Sequence, residues 1–465
     1  MHSIKHLHLP HFFHRAKHDV DMTQGSIVAH LLKFAFPLLL GNIFQQLYNM
    51  VDTWVVGNYV SNEAFSAVGS VGPIINTLIG FFSGLSTGAG AVISQFYGAK
   101  KEDKVQDAVH TAVLMTLILG VVFTGVGMLM TPYMLELMKT PKEVFPQSEA
   151  YLSIYFSGIL GLMLYNIGAG ILRAVGDSRR PFYFLVVTAV MNTVLDLVFV
   201  LKFEMGVKGV ALATIIAQAA SALLVMLTLM RSKNCIRLSL NKLRMRWDML
   251  KKIVGVGIPA AFQLSVTSFS NVFVQSYINY FGADFMAGWT AYAKIDQLAL
   301  LPMQSISMAS TTFVAQNLGS KQDKRAQRGL GIAILLSVVI TAILLLPIMI
   351  FAPRLVTFFN DKVEVVEYGT VLLRIISPFY LLCCVNQVLA GALRGAGNSR
   401  SVMLILLPSF VVFRQIYLFV MANYISNEFI PIAMAYPAGW FVASSLLSLY
   451  YLKVRFSGYK KIVDG

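Results

Sequence analysis

The sequence predicts an all-α integral membrane protein, with twelve transmembrane helices arranged as two pseudo-symmetric six-helix lobes built from a parallel repeat. Three observations carry that expectation. Of the 465 residues 57% are hydrophobic and 13% charged, with a mean hydropathy of +0.68, about half the charge of an ordinary soluble domain. Apolar stretches long enough to cross roughly 30 Å of hydrocarbon recur along the whole chain. Finally, "GILRAVGDSR" at 170–179 returns as "GALRGAGNSR" at 391–400.

The periodicity places spans at 30–57, 66–96, 107–131, 149–172, 182–203 and 209–230, then at 253–280, 286–316, 329–352, 366–393, 401–423 and 431–453. This gives a tail at 1–25, a first lobe at 26–230, a basic linker at 231–252 and a second lobe at 253–465. The tail holds six of the eight His but lacks an apolar core of signal-peptide type, so a cytosolic tail before an uncleaved helix is expected. Its His are irregularly spaced and have no acidic or Cys partners, which disfavours a metal site. Cys235, Cys383 and Cys384 make no disulfide framework.

The net charge of +15 raises the question of nucleic acid. Of the 37 Lys and Arg, 27 fall in the two tails and in every second loop, against 6 in the intervening loops. That asymmetry is the positive-inside pattern with both termini cytoplasmic. The basicity therefore needs no nucleic acid, and the lipid bilayer is the expected surrounding.

The repeat runs deeper than one motif. Gln95 and Gln316, Gly98 and Gly319, Lys100 and Lys321, and Arg173 and Arg394 share an offset of 221, while Pro37 pairs with Pro259 at 222. Six helices per unit is an even number, so both units start on the same side and a pseudo-twofold axis along the membrane normal is expected. Duplicated bundles around a central cleft are a common basis for alternating access.

A charge held near the bilayer centre marks function by default. Asp52 follows Gln45, Tyr48 and Asn49 at helical spacing, a polar stripe in an apolar span, and Pro37 deeper in the helix is an expected hinge. Asn192 and Asp196 are spaced i, i+4, and Thr214 lies in the next span. At about 1.5 Å per residue, Asp52, Asp196 and Thr214 share a layer some 7–11 Å below the outer boundary. Their repeat-mates are Val274, Tyr417 and Ala435, and Asn192 maps to Phe413, so one half alone carries the oxygen-rich site. Carboxylate, amide and hydroxyl oxygens suit a proton or Na⁺, with Asp52, Asn192, Asp196 and Thr214 as the Na⁺ ligands if Na⁺ is the coupling ion. Lys294 and Asp296, at i, i+2, point to different faces and either line the cleft of the second half or make interhelical contacts. Arg374 snorkels and Arg414 is structural or cleft-lining. Met and aromatic side chains could form an adaptable wall for flat organic cations.

Together, "PLLLGNIFQQLYNMVDTWVVG", "ISQFYGAK" with "FVAQNLGSK", "LRAVGDSRRP" with "LRGAGNSRS", and "NTVLDLVFV" followed by "GVALAT" resemble the multidrug and toxic compound extrusion (MATE) transporters over residues 26–455. The acidic set resembles the DinF-like branch, whose cation site lies in the N-terminal half. The resemblance implies a V-shaped pair of lobes and export of mostly cationic amphipathic compounds, driven by entry of H⁺ or Na⁺. It also implies that Gln45, Tyr48 and Asn166 line the cavity; Asn49, Lys294 and Asp296 are added to that expected lining. No cofactor beyond the coupling ion is expected, and the chain should work as a monomer in a bacterial inner membrane. The His-rich tail departs from the family pattern.

Three rivals are weaker. "GLSTG" at 84–88 satisfies G-x-S-x-G, but Ser86 sits mid-span without the strand–turn–helix setting a hydrolase needs, so no enzyme is expected. No Walker A loop is present, which disfavours ATP-driven transport. A lipid-linked saccharide flippase would need a large cavity with several inward cations, for which Lys294 and Arg414 are the candidates.

Overall fold

The structure is a computed structural model and describes residues 20–138, 140–456 and 462–463. The His-rich tract at 1–19 lies outside the described residues. Twelve spans follow one another. The first three are α1 (Ile27–Tyr59), α2 (Glu63–Gly98) and α3 (Glu102–Leu137). Next comes α4, a pair of helices, Phe145–Ser157 and Ile159–Ala174, bent by 47° at their junction. α5 (Arg179–Lys202) and α6 (Gly206–Arg231) complete the first half. The second half holds α7 (Trp247–Asn279), α8 (Ala283–Gly319), α9 (Asp323–Ile350), α10 (Val363–Gly395), α11 (Ser399–Ile425) and α12 (Phe429–Val454). Without water to satisfy an open backbone, helix is the form such apolar segments must take. All twelve predicted spans are present, most of them extended by a few residues at each end.

The helix ends follow local chemistry. Ser61 accepts from the Ala64 amide at 3.1 Å to start α2, and Asp177 accepts from the amides of Arg179 and Arg180 to start α5. Gly176 and Gly397, with φ of +86° and +90°, turn the chain between α4 and α5 and between α10 and α11. α1 stays one helix through Pro37. The sequence pattern did not reveal the bend of α4, nor the wider π-type turns at Val198–Lys202, Pro408–Phe413 and Met421–Ile425.

The halves meet along α2 and α7, where small residues replace side chains. A Cβ on Gly84 would lie 2.2 Å from the Ala261 nitrogen, and one on Gly88 would lie 2.4 Å from Gly257 Cα. These are paired small-xxx-small faces with backbone in contact. At the end of the bundle that carries both chain termini the contact becomes reciprocal. Gly98 packs on the Gln316 carbonyl and Gly319 on that of Gln95, each with a hypothetical Cβ at 2.0 Å. Repeat-mates touching each other's partners place the pseudo-twofold axis at this point, as a parallel repeat requires.

Candidate functional site

Above that contact the halves enclose a cavity of about 430 Å³, walled by α1, α2, α4, α5 and α6 on one side and by α7, α8 and α10 on the other. Pro37, Gln45, Tyr48, Asn166, Asn192 and Thr214 line it. Asn49 does not: it is exposed. At about 100° per residue Gln45 and Tyr48 stay within some 40° of Asp52 around the helix, whereas Asn49 lies about 60° to one side. Lys294 is likewise exposed and outside the cavity lining. Asp296 belongs to a separate cluster of the second half, where it accepts from the hydroxyls of Tyr380 and Tyr292.

Three members of the acidic set are buried in the first half. Asp52 on α1 is 8% exposed, and Asn192 and Asp196 on α5 are 2% and 0% exposed. The Asp52 and Asp196 carboxyl groups are close enough to interact electrostatically. Asp52 Oδ1, both Asp196 oxygens and both amide atoms of Asn192 are buried with no donor or acceptor from the protein. An unsatisfied buried polar group costs about 1–3 kcal/mol, so these five atoms mark a place where the protein leaves polar groups without partners of its own. Two ionised carboxylates in contact repel unless a positive charge lies between them. Thr214 on α6 donates to the Val210 carbonyl at 3.0 Å, which leaves its lone pairs for a ligand.

The wall around this set includes residues that spacing did not single out. Tyr151 lies near Asp52, and Gln218, one turn beyond Thr214 on α6, lines the cavity. A lone aromatic in a span carries no sequence signal that separates it from core. The repeat-mates pack as ordinary interior: Val274 and Ala435 sit in one apolar cluster of the second half. Arg414 is structural, bonded to Ser270 and Asn271 and stacked 4.9 Å from the Tyr436 ring.

Two cations do face the cavity, and neither was among the predicted ones. Arg173 and Arg394 lie in the last turns of α4 and α10, inside the helices rather than in loops, and both line it. Ser86, the hydrolase candidate, donates to the Asn166 carbonyl at 2.7 Å in the middle of a helix. Hydroxyl and neighbours are thus committed to packing.

Two six-helix units around a polar cleft within a twelve-span bundle define a membrane transporter rather than an enzyme. The chain belongs to the MatE family, whose profile matches it twice, over residues 37–198 and 259–420. It is 29% identical over 442 residues to the probable multidrug resistance protein YoeA of Bacillus subtilis, covering 92% of this chain and 94% of that one. With the probable multidrug resistance protein YpnP of the same organism it shares 28% identity over 444 residues, covering 96% and 99%. Among solved structures, a MOP superfamily transporter from Pyrococcus furiosus superposes with a TM-score of 0.90 at 21% identity, covering 96% of this chain and all of the other. A structure described as the outward-facing conformation of a multidrug resistance MATE family transporter gives 0.89 at 22% identity, covering 96% and 99%.

Proposed function

We propose that this protein is a secondary antiporter that exports drug-like organic amphiphiles bearing a cationic centre in exchange for H⁺ or Na⁺. It would sit in a bacterial plasma membrane with both termini in the cytosol, the orientation that the distribution of Lys and Arg favours. The observation that carries the reading is the buried set Asp52, Asp196 and Asn192, whose side chains leave five polar atoms without a protein partner and of which Asn192 lines the interlobe cavity. Asp52, Asn192, Asp196 and Thr214 would hold the coupling ion. Entry of that ion from outside neutralises the pair and disfavours simultaneous occupancy by a cationic substrate, so one leaves as the other enters. The multidrug resistance names of the Bacillus subtilis relatives support the substrate side. A cavity of about 430 Å³ suits a drug-sized molecule and is small for a lipid-linked saccharide, which favours the antiporter over the flippase.

The test is dye efflux from proteoliposomes under a Na⁺ or a H⁺ gradient imposed separately. Asp52→Asn and Asp196→Asn should each reduce gradient-driven efflux at least tenfold, and the gradient that drives the wild type names the ion. Full coupled transport by both variants would sink the assignment.

A further inference from the structure

Asn192 brings the acidic site to one end of the cavity, with Asp52 and Asp196 buried outside the lining; the other end has the opposite charge. Arg173 and Arg394 are repeat-mates from the two halves, and both line the same cavity. Among the described residues no Asp or Glu lines it. The carboxylate nearest Arg173 in sequence, Asp177, is engaged by Arg180 and by the amides of Arg179 and Arg180. At its repeat position stands Asn398, which caps α11 through the Ser401 amide. Arg394 is 9% exposed, gives one Nη2 hydrogen bond to Gln263 Oε1, and keeps a buried Nε with no acceptor.

A cation in the last turn of a helix is ordinarily matched to the helix dipole, with its head in water or among lipid headgroups. These two guanidinium groups instead sit on the wall of an interlobe cavity, one of them nearly fully buried, with a donor to spare. Guanidinium forks match carboxylate and phosphate oxygens. We propose that Arg173 and Arg394 form an anion subsite, so that the cavity takes zwitterionic amphiphiles whose carboxylate or phosphate lies between the two arginines. This rests on the antiporter reading and adds a second pole to its substrate. The cationic centre faces Asn192, the member of the acidic site that lines the cavity. Asn192 lies 13 residues along α5 from its start at Arg179, which puts the poles about 20 Å apart along the membrane normal, the span of an elongated drug-like molecule.

The experiment is equilibrium binding to the purified protein in neutral maltoside micelles, with a radiolabelled ω-trimethylammonio fatty acid whose two charges are as far apart as the poles, and its methyl ester, as matched probes. The zwitterion should bind about tenfold more tightly than the ester, the size expected of a charge-assisted bond. Arg173→Gln with Arg394→Gln should bring the two probes to equal affinity with ester binding retained or tightened, because two like charges leave its cavity, and this also reports an intact fold. Arg173→Lys with Arg394→Lys should keep most of the preference. Equal affinity in the wild type, or a preference that survives the double Gln substitution, overturns the subsite. So does arginine-dependent binding of added phosphatidylglycerol with no zwitterion preference before its addition, because the pair would then serve a lipid headgroup. Binding does not require an ion gradient: a preference without coupled transport refutes the antiporter, and coupled ester transport without a preference refutes the subsite.

Discussion

Asp196 shows what a buried carboxyl without protein partners costs the fold. Its carboxyl is fully buried against that of Asp52 and neither of its oxygens has a protein donor, so the resting protein carries electrostatic strain that a hydrogen-bonded structural aspartate would not. Replacing it with Asn removes one of two like charges at nearly constant shape. Asp196→Asn should therefore raise the thermal unfolding midpoint in Na⁺-free buffer, corresponding to about 1 kcal/mol, while abolishing coupling. If Na⁺ is the ligand, adding it at a hundred times Kd should stabilise the wild type by about 2.7 kcal/mol and leave the variant unmoved. A lower midpoint for the variant would mean that the carboxylate holds the fold together. At this scale the acidic set was legible because a charge in an apolar span stands out and i, i+4 spacing fixes its face. The arginine pair was not, for a physical reason: at a helix end on the basic side, a cavity-facing guanidinium and a solvated loop charge look the same in sequence. The repeat identified Arg173 and Arg394 as mates without saying what lies between them.

At the scale of elements, α2 and α7 make the interlobe seam because each offers a stripe of small residues. Gly88 meets Gly257 backbone, and neither backbone can yield without shifting a whole helix. Gly88→Ala should cost about 1–3 kcal/mol by overpacking, seen as a lower unfolding midpoint in detergent. Gly72 on the same helix has nothing within 4 Å of its would-be Cβ, so Gly72→Ala should be neutral or stabilising by up to about 1 kcal/mol. An equal loss at both positions would trace the effect to the helix itself and not to the seam. The existence and order of the spans could be read from hydropathy alone. The bend at Ser157 and Ile159 could not, because it has no Pro at the break: Gly158 sits against Ile215, with a would-be Cβ at 2.4 Å, a tertiary contact that local pattern does not encode.

At the scale of the molecule, the repeat predicted a parallel pseudo-twofold relation, and the structure adds what the two copies do where they meet. Gln95 Nε2 donates to the Gly395 carbonyl at 2.8 Å and Gln316 Nε2 to the Ala174 carbonyl at 2.9 Å, each reaching into the other half. The two ends of the described chain complete the pattern. The Met22 amide donates to Gln316 Oε1 at 3.0 Å and the Ile462 amide to Gln95 Oε1 at 3.1 Å. Val20 rests on Gly176 and Ile462 on Gly397, the two turns with positive φ. Each terminal segment thereby straps one half to the other across the same end of the bundle. These four bonds join the halves on this side, and in the proposed antiporter alternating access would break them. At about 1 kcal/mol per bond, partly recovered from water on opening, Gln95→Ala with Gln316→Ala should shift the balance toward the state open on this side by about 2 kcal/mol, up to about thirtyfold in population. Spin labels at Lys104 and Lys324, in the first turns of α3 and α9 at this end, should report a longer distance population in the double variant than in the wild type. An unchanged distribution would place the barrier to opening in the glycine contacts of α2 and α8, because Gly98 and Gly319 meet the Gln316 and Gln95 backbones whatever side chains those residues carry.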